Sequence, residues 1–188
     1  MKFLKLGLAS LVASSVLFAG NYNVDASHSN VGFSVKHMMI TNVTGKFNDV
    51  SGNFEYDEKT NTLKALSGDI IVASINTADE KRDTHLKAEE LFDAAKFPKI
   101  NFNATKIEEN AVYGDLTMKG ITKNIKLELE NGGTVTDPWG KQRAGFELVG
   151  KINRKDFGIT WNKVLETGGV AVSDEIKLQI AMEGILAK

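Results

Sequence analysis

Apolar and polar residues alternate along most of this chain. Val31, Phe33 and Val35 are separated by Gly32 and Ser34, and Phe54 and Tyr56 flank Glu55. The same rhythm runs through Ile100-Phe102-Ala104, Val112-Leu116-Met118 and Ile125-Leu127-Leu129. It returns in Ala144-Phe146-Leu148-Ile152 and in Ile176-Leu178-Ile180-Met182. A period of two places every second side chain on one face, so each stretch reads as a half-buried strand. Residues 66–75 are more continuously apolar and complete a set of eight predicted strands. Half-buried alternation is characteristic of antiparallel pairing, because parallel strands are covered on both faces.

The connections fit this reading. Asp57-Glu58-Lys59-Thr60-Asn61, Glu108-Glu109-Asn110 and Asn131-Gly132-Gly133 are short and polar, and Asp137-Pro138-Trp139-Gly140 has the composition of a β-turn. One segment breaks the pattern. Thr77 and Glu80 have capping-box spacing, Asp79-Glu80 suit a helix N-terminus, and a short helix is expected between Thr77 and Phe92. It must stop before Phe97-Pro98. The glycine-containing segment Asp156 to Val172 reads as irregular. The fold expected is all-β with one short helix, an extended eight-stranded antiparallel barrel, since closure removes exposed strand edges. On the inward parity bulk alternates with space, as in Phe54 beside Gly52, Leu116 beside Gly114 and Met182 before Gly184. That suits an apolar tunnel and equally suits close packing, and the pattern leaves the two open.

Composition narrows the classes. With 188 residues and no linker or repeat, one domain is expected, over residues 21–188. A net charge of −1 gives no bulk attraction to nucleic acid. The absence of Cys excludes disulfides, zinc–thiolate and iron–sulfur sites and thiol catalysis. The first 20 residues read as an export signal: Lys2 and Lys5, an apolar stretch from Leu6 to Phe18, then Ala19-Gly20, with removal expected at Ala19 or Gly20. That stretch is too short for a lasting membrane span, and none follows it. The location expected is the periplasm.

The usual catalytic signatures are missing. His28, His37 and His85 have no compact metal-ligand spacing, and there is no Gly-x-Ser-x-Gly elbow or phosphate loop. Asp25, Ser27 and His28 are adjacent in sequence, which does not make a triad.

Several segments together resemble the YceI-like family of exported bacterial lipid-binding proteins. Tyr22-x-Val24-Asp25-x-x-His28-Ser29-x-Val31-x-Phe33-x-Val35-x-His37 is similar to its opening strand. Thr44-Gly45-x-Phe47 with Ser51-Gly52 follows. Arg82-Asp83-x-His85-Leu86 and Phe92-Asp93-x-x-Lys96-Phe97-Pro98 resemble the helical insertion. Gly114-Asp115-Leu116-Thr117-x-x-Gly120 and Gly150-x-Ile152-Asn153-Arg154-x-Asp156-Phe157-Gly158 complete five blocks in order. Met38-Met39-Ile40 departs from that pattern.

The resemblance implies a lipocalin-like barrel, a homodimer, and a long apolar ligand such as a polyisoprenoid, an isoprenoid quinone or a fatty-acid derivative. It implies no cofactor beyond that bound lipid. The residues expected to line the tunnel are Phe33, Val35, Phe47, Phe54, Phe102, Leu116, Phe146 and Trp161. His28, His37, Arg82 and His85 are the head-group candidates, since guanidinium and imidazole donors suit a phosphate or carbonyl. A structural alternative has Arg82 paired with Asp83 or Asp25, and Arg154 with Asp156. Three functions follow: a non-catalytic lipid carrier; a lipid- or isoprenoid-processing enzyme centred on His28, His37 and Arg82; or an interaction module with a filled barrel.

Overall fold

The computed structural model describes residues 19–166 and 168–188, so the expected export signal lies almost wholly outside the described residues. The first strands are β1 (Gly20–Val24), β2 (Asn30–His37), β3 (Thr41–Phe47), β4 (Val50–Asp57), β5 (Thr62–Ile71) and β6 (Ile75–Asn76). After the helix α1 (Glu80–Leu86) come β7 (Lys99–Glu108), β8 (Ala111–Met118), β9 (Ile121–Thr136), β10 (Gln142–Asn153) and β11 (Val172–Leu186). No described helix is long and apolar enough to cross a membrane.

All pairings between these strands are antiparallel, and the ring β1-β4-β5-β7-β8-β9-β10-β11 closes when Tyr22–Val24 pair with Gly184–Leu186. Eleven strands thus make an eight-staved barrel. The first half of β11 pairs with β2 and its last residues with β1, so residues 20–37 form one stave broken at 25–29. In the same way β3 and β4 share a stave broken at Asn48-Asp49, and β5 and β6 one broken by a 3-10 turn at Val72–Ser74. Ser74 locks two of these breaks together, with its carbonyl accepting from Asn48 N (3.1 Å) and its hydroxyl from Asp49 N (3.0 Å). Each of the eight predicted strands occupies its own stave.

The interior divides along the barrel axis. At the end carrying the termini, Tyr22, Phe54, Tyr56, Leu63, Val112, Leu129, Ala144 and Phe146 form a continuous buried cluster. Tyr22 stacks on Phe54 at 5.3 Å, and Phe54 meets Phe146 edge-on at 5.0 Å. The space beside Gly184 is taken by the Phe54 ring, where an added Cβ would come within 2.5 Å of it. Aromatic rings laid over inward glycines occupy the centre of this half. The other half is bounded by Val31, Phe47, Val50, Ile100, Leu116 and Met118, under a cover made by α1, the segment 87–98 and the segment 157–161.

Two local structures differ from expectation or from ordinary turn chemistry. The helix cap is Asp79, whose carboxylate accepts from Arg82 N at 3.0 Å, rather than Thr77. Thr77 is buried, and its hydroxyl donates to Asp83 instead. The β2–β3 connection is closed by Ile40 N donating to His37 O at 3.1 Å, with Met38 (φ 49) and Met39 (φ 65) both left-handed. This is the type I′ pattern, normally filled by Asn-Gly, and each side chain held there costs about 1–2 kcal/mol.

Candidate functional site

The half of the barrel left open holds a cavity of about 340 Å³, within the range that suits one small-molecule ligand. Its floor is Leu66, Leu127 and Leu148, the upper surface of the filled cluster. Its walls come from nearly every stave: Val31, Phe33 and Val35 on β2, Ile100 and Phe102 on β7, and Ile176, Leu178, Ile180 and Met182 on β11. Where Gly52 and Gly68 pair across β4 and β5, neither inward position carries a side chain, and the lumen reaches the sheet backbone. Polar groups gather at the opposite end from the floor, where Arg82 and His85 line the cavity with side chains each 39% exposed. This end is the rim of the lumen, and Ser51, Ser67 and Asp69 add polar groups to the wall beside Gly68.

Nine expected site residues line it: Phe33, Val35, His37, Phe47, Arg82, His85, Phe102, Leu116 and Trp161. Phe54 and Phe146 have the inward parity but sit below the floor, where they plug the barrel rather than line its cavity. His28 does not reach the cavity. It lies on the solvent side of the β1–β2 break, with Nδ1 2.9 Å from Asp25. Sequence reasoning missed Gly68, Ile152 and Ile159 as lining residues, and it did not read the strand positions on β11 as wall. Periodicity marks the inward face, but the height of a residue along the axis depends on register.

At the rim one hydroxyl organises the charged groups. Thr77 Oγ1 donates to Asp83 Oδ1 (2.5 Å) and accepts from Arg82 Nε (2.8 Å), while Thr77 O accepts from Arg82 Nη2 (2.8 Å). Arg82 pairs with neither Asp83 nor Asp25. Its third nitrogen, Nη1, lies 4.0 Å from Asp79, and the side chain lines the lumen. His85 packs edge-on against Trp161 at 4.9 Å and bonds Glu90 through Nε2. The His37 ring makes no hydrogen bond among the described residues. Arg154 is buried and donates to the carbonyls of Ile159 (2.8 Å), Trp161 (2.7 Å) and Ser173 (3.0 Å). Its ion pair is with Asp174 at 3.2 Å, not Asp156, and burial pulls its guanidinium below the usual arginine value. Arg154 is the clamp that holds Trp161 over the rim.

A second polar cluster lies outside the lumen. Asp25, His28 and Glu183 bring ligand atoms within 4.8 Å of one another, but a cation already stands among them. Arg143 Nη1 donates to Asp25 (2.8 Å) and Glu183, and its Nε donates to Asp137 (2.8 Å). These bonds, with those from Ser27 and His28, hold the Asp25 carboxyl far below the ordinary range. The cluster ties β1, β10 and β11 together at the seam where the barrel closes.

The YceI-like domain description matches residues 22–184. The chain belongs to the YceI-like family. Among YceI-like relatives, UPF0312 protein SA2479 of Staphylococcus aureus (strain N315) is 40% identical over 165 residues, 87% of this chain and 96% of that protein. The Campylobacter jejuni YCEI protein, which crystallises with large solvent channels, superposes with a TM-score of 0.70 at 31% identity over 98% of this chain and all of its own. A polyisoprenoid binding domain from Saccharophagus degradans, implicated in plant cell wall breakdown, shares the fold with a TM-score of 0.63 at 16% identity, covering 90% and 99% of the two chains.

Proposed function

We propose that this protein is a periplasmic, non-catalytic carrier for one long-chain apolar lipid of the polyisoprenoid, isoprenoid-quinone or fatty-acid class. The observation that carries the reading is the largely apolar pocket, with Arg82, His85 and His37 at one end and Ser51, Ser67 and Asp69 where β4 meets β5. Each methylene moved from water into such a lumen contributes about 0.8 kcal/mol. About ten of them give roughly 8 kcal/mol, the micromolar range, before the cost of ordering the chain. The tail supplies affinity without polar contacts, and Arg82, His85 and His37 select the head group. That the Saccharophagus degradans relative is a polyisoprenoid binding domain supports the ligand class.

The enzymatic alternative needs His28, His37 and Arg82 together, and His28 is engaged at the barrel seam instead. The filled-barrel alternative does not match the hollow half. Export rests on the Lys2/Lys5 and Leu6–Phe18 pattern, and cell fractionation with N-terminal sequencing tests it. A homodimer is also proposed, on the family resemblance and on Ile71, Ala73 and Tyr113 at outward positions; sedimentation velocity decides it.

The deciding experiment is mass spectrometry of the organic extract from natively purified protein, with uptake of a fluorescent fatty acid measured alongside. A stoichiometric co-purifying lipid is expected. Gly68→Leu should cut fluorescent uptake on the order of tenfold, because Gly68 lines the lumen. An added Cβ there meets Ser51 O at 3.3 Å, a contact the strand must ease slightly, so a melting curve is read alongside to establish that the variant is folded. An empty protein that also takes up no fatty acid overturns the reading.

A further inference from the structure

The β2–β3 turn and the neighbouring loop carry a group of large apolar side chains turned to solvent. Met38 is 44% exposed, Met39 57%, Ile40 81% and Val164 83%. They belong to one surface. Met38 N donates to Ala171 O (2.8 Å), Ala171 N donates to Lys163 O (2.8 Å), and Val164 bridges Val170. An added Cβ on Gly169 would touch Met39 at 3.5 Å. This surface adjoins the rim of the lumen, since His37 and Val172, which pair with each other beside the turn, both line the cavity.

Two features set it apart from scattered surface hydrophobes. The turn holds two methionines in left-handed backbone, where Asn-Gly would relieve strain and remove the apolar side chains together. The charges beside it are also unbalanced. Segment 34–46 contains no acid, and segment 160–172 contains only Glu166. Lys36 and Lys163 form no ion pair among the described residues. Several acids near the rim are engaged: Asp83 by Thr77, Glu90 by His85, and Asp174 by Arg154 and Lys155.

We propose that Met38, Met39, Ile40 and Val164 form a docking tip for an anionic lipid bilayer, so that the lumen loads and unloads while its rim faces the membrane. Apolar tips gain by entering the acyl boundary, and free lysines beside them meet anionic head groups. The contact is superficial and reversible, since only a turn and one loop residue enter. This inference rests on the reading of the lumen as a lipid site for its purpose, but the docking itself is measured without any ligand.

Flotation with vesicles of equal parts phosphatidylethanolamine and phosphatidylglycerol tests it, using the protein in the form that cells accumulate. The wild type should bind, and Met38→Asn/Met39→Gly should bind on the order of tenfold more weakly. The same double variant should melt at the wild-type temperature or above, which separates lost docking from lost folding. Lys163→Glu should weaken flotation with anionic vesicles and leave weak binding to pure phosphatidylcholine unchanged. With fluorescent fatty acid loaded, transfer to acceptor vesicles should speed up in proportion to vesicle concentration, and the double variant should lose that dependence. Equal flotation of wild type and double variant overturns the proposal. So does a double variant whose altered property is self-association, which would make the tip an interface between copies of the chain. If flotation behaves as expected and no fatty acid is taken up, docking stands and the carrier reading fails.

Discussion

Arg143 stands among three carboxylates, and its side chain is only 14% exposed. Replacing it with Met leaves Asp25, Asp137 and Glu183 facing one another, so Arg143→Met should lower the melting temperature by several degrees, as read by circular dichroism. The pH dependence has a definite sign. Asp25 and Asp137 are held below their ordinary value of 3.8 chiefly by hydrogen bonds, from Ser27 and Arg143 to Asp25 and from Arg143 to Asp137. Their contribution is fully present above that value and is lost as the pH falls from it through their lowered folded-state values. Melting temperatures should be flat across neutral pH and drop below about pH 4, and Arg143→Met should flatten the acid limb. At the rim, Thr77→Val removes the hydroxyl shared by Asp83 and Arg82, at a cost of about 1–3 kcal/mol in urea denaturation. It should also blunt discrimination between charged and uncharged head groups in competition binding. The sequence offered Arg82 and Thr77 as separate features, one a head-group candidate and the other a helix cap. Their joint role comes from the fold.

Among the elements, the long regular strands were legible because inward Leu, Ile, Val and Phe keep strict parity. β3 was not, and the reason is physical. Its inward positions are Val43, Gly45 and Phe47, and the middle one is empty because the Phe33 ring occupies its space, within 2.5 Å of where a Cβ would stand. A glycine that accommodates a neighbour's ring interrupts the hydrophobic pattern while preserving the packing. β1 was marked by the family resemblance and not by alternation, because only Tyr22 of its five residues is fully buried. The helix was placed correctly but its cap was misassigned. Thr77 and Asp79 both have suitable side chains, and only tertiary structure sends Thr77 inward to Asp83. Asp79→Ala should therefore lower the melting temperature by about 2–4 °C without changing lipid uptake.

Across the whole molecule, the filled half and the hollow half have different tasks. Phe54 touches Tyr22 and Phe146 and covers Gly184, so Phe54→Ala should cost about 3–5 kcal/mol in urea denaturation. The same substitution undermines the floor. Variants that remain folded should accept longer alkyl chains than the wild type, as read by chain-length competition. Closure and parity could be inferred from sequence. The point along the axis where packing gives way to a void could not, because it depends on which strand register sets Leu66, Leu127 and Leu148 at one level. That floor makes the barrel a vial with its charged neck at the far end. A guest that goes in tail-first leaves head-first, and what it leaves behind is a hollow walled mainly by hydrocarbon, a space better suited to the next guest than to water.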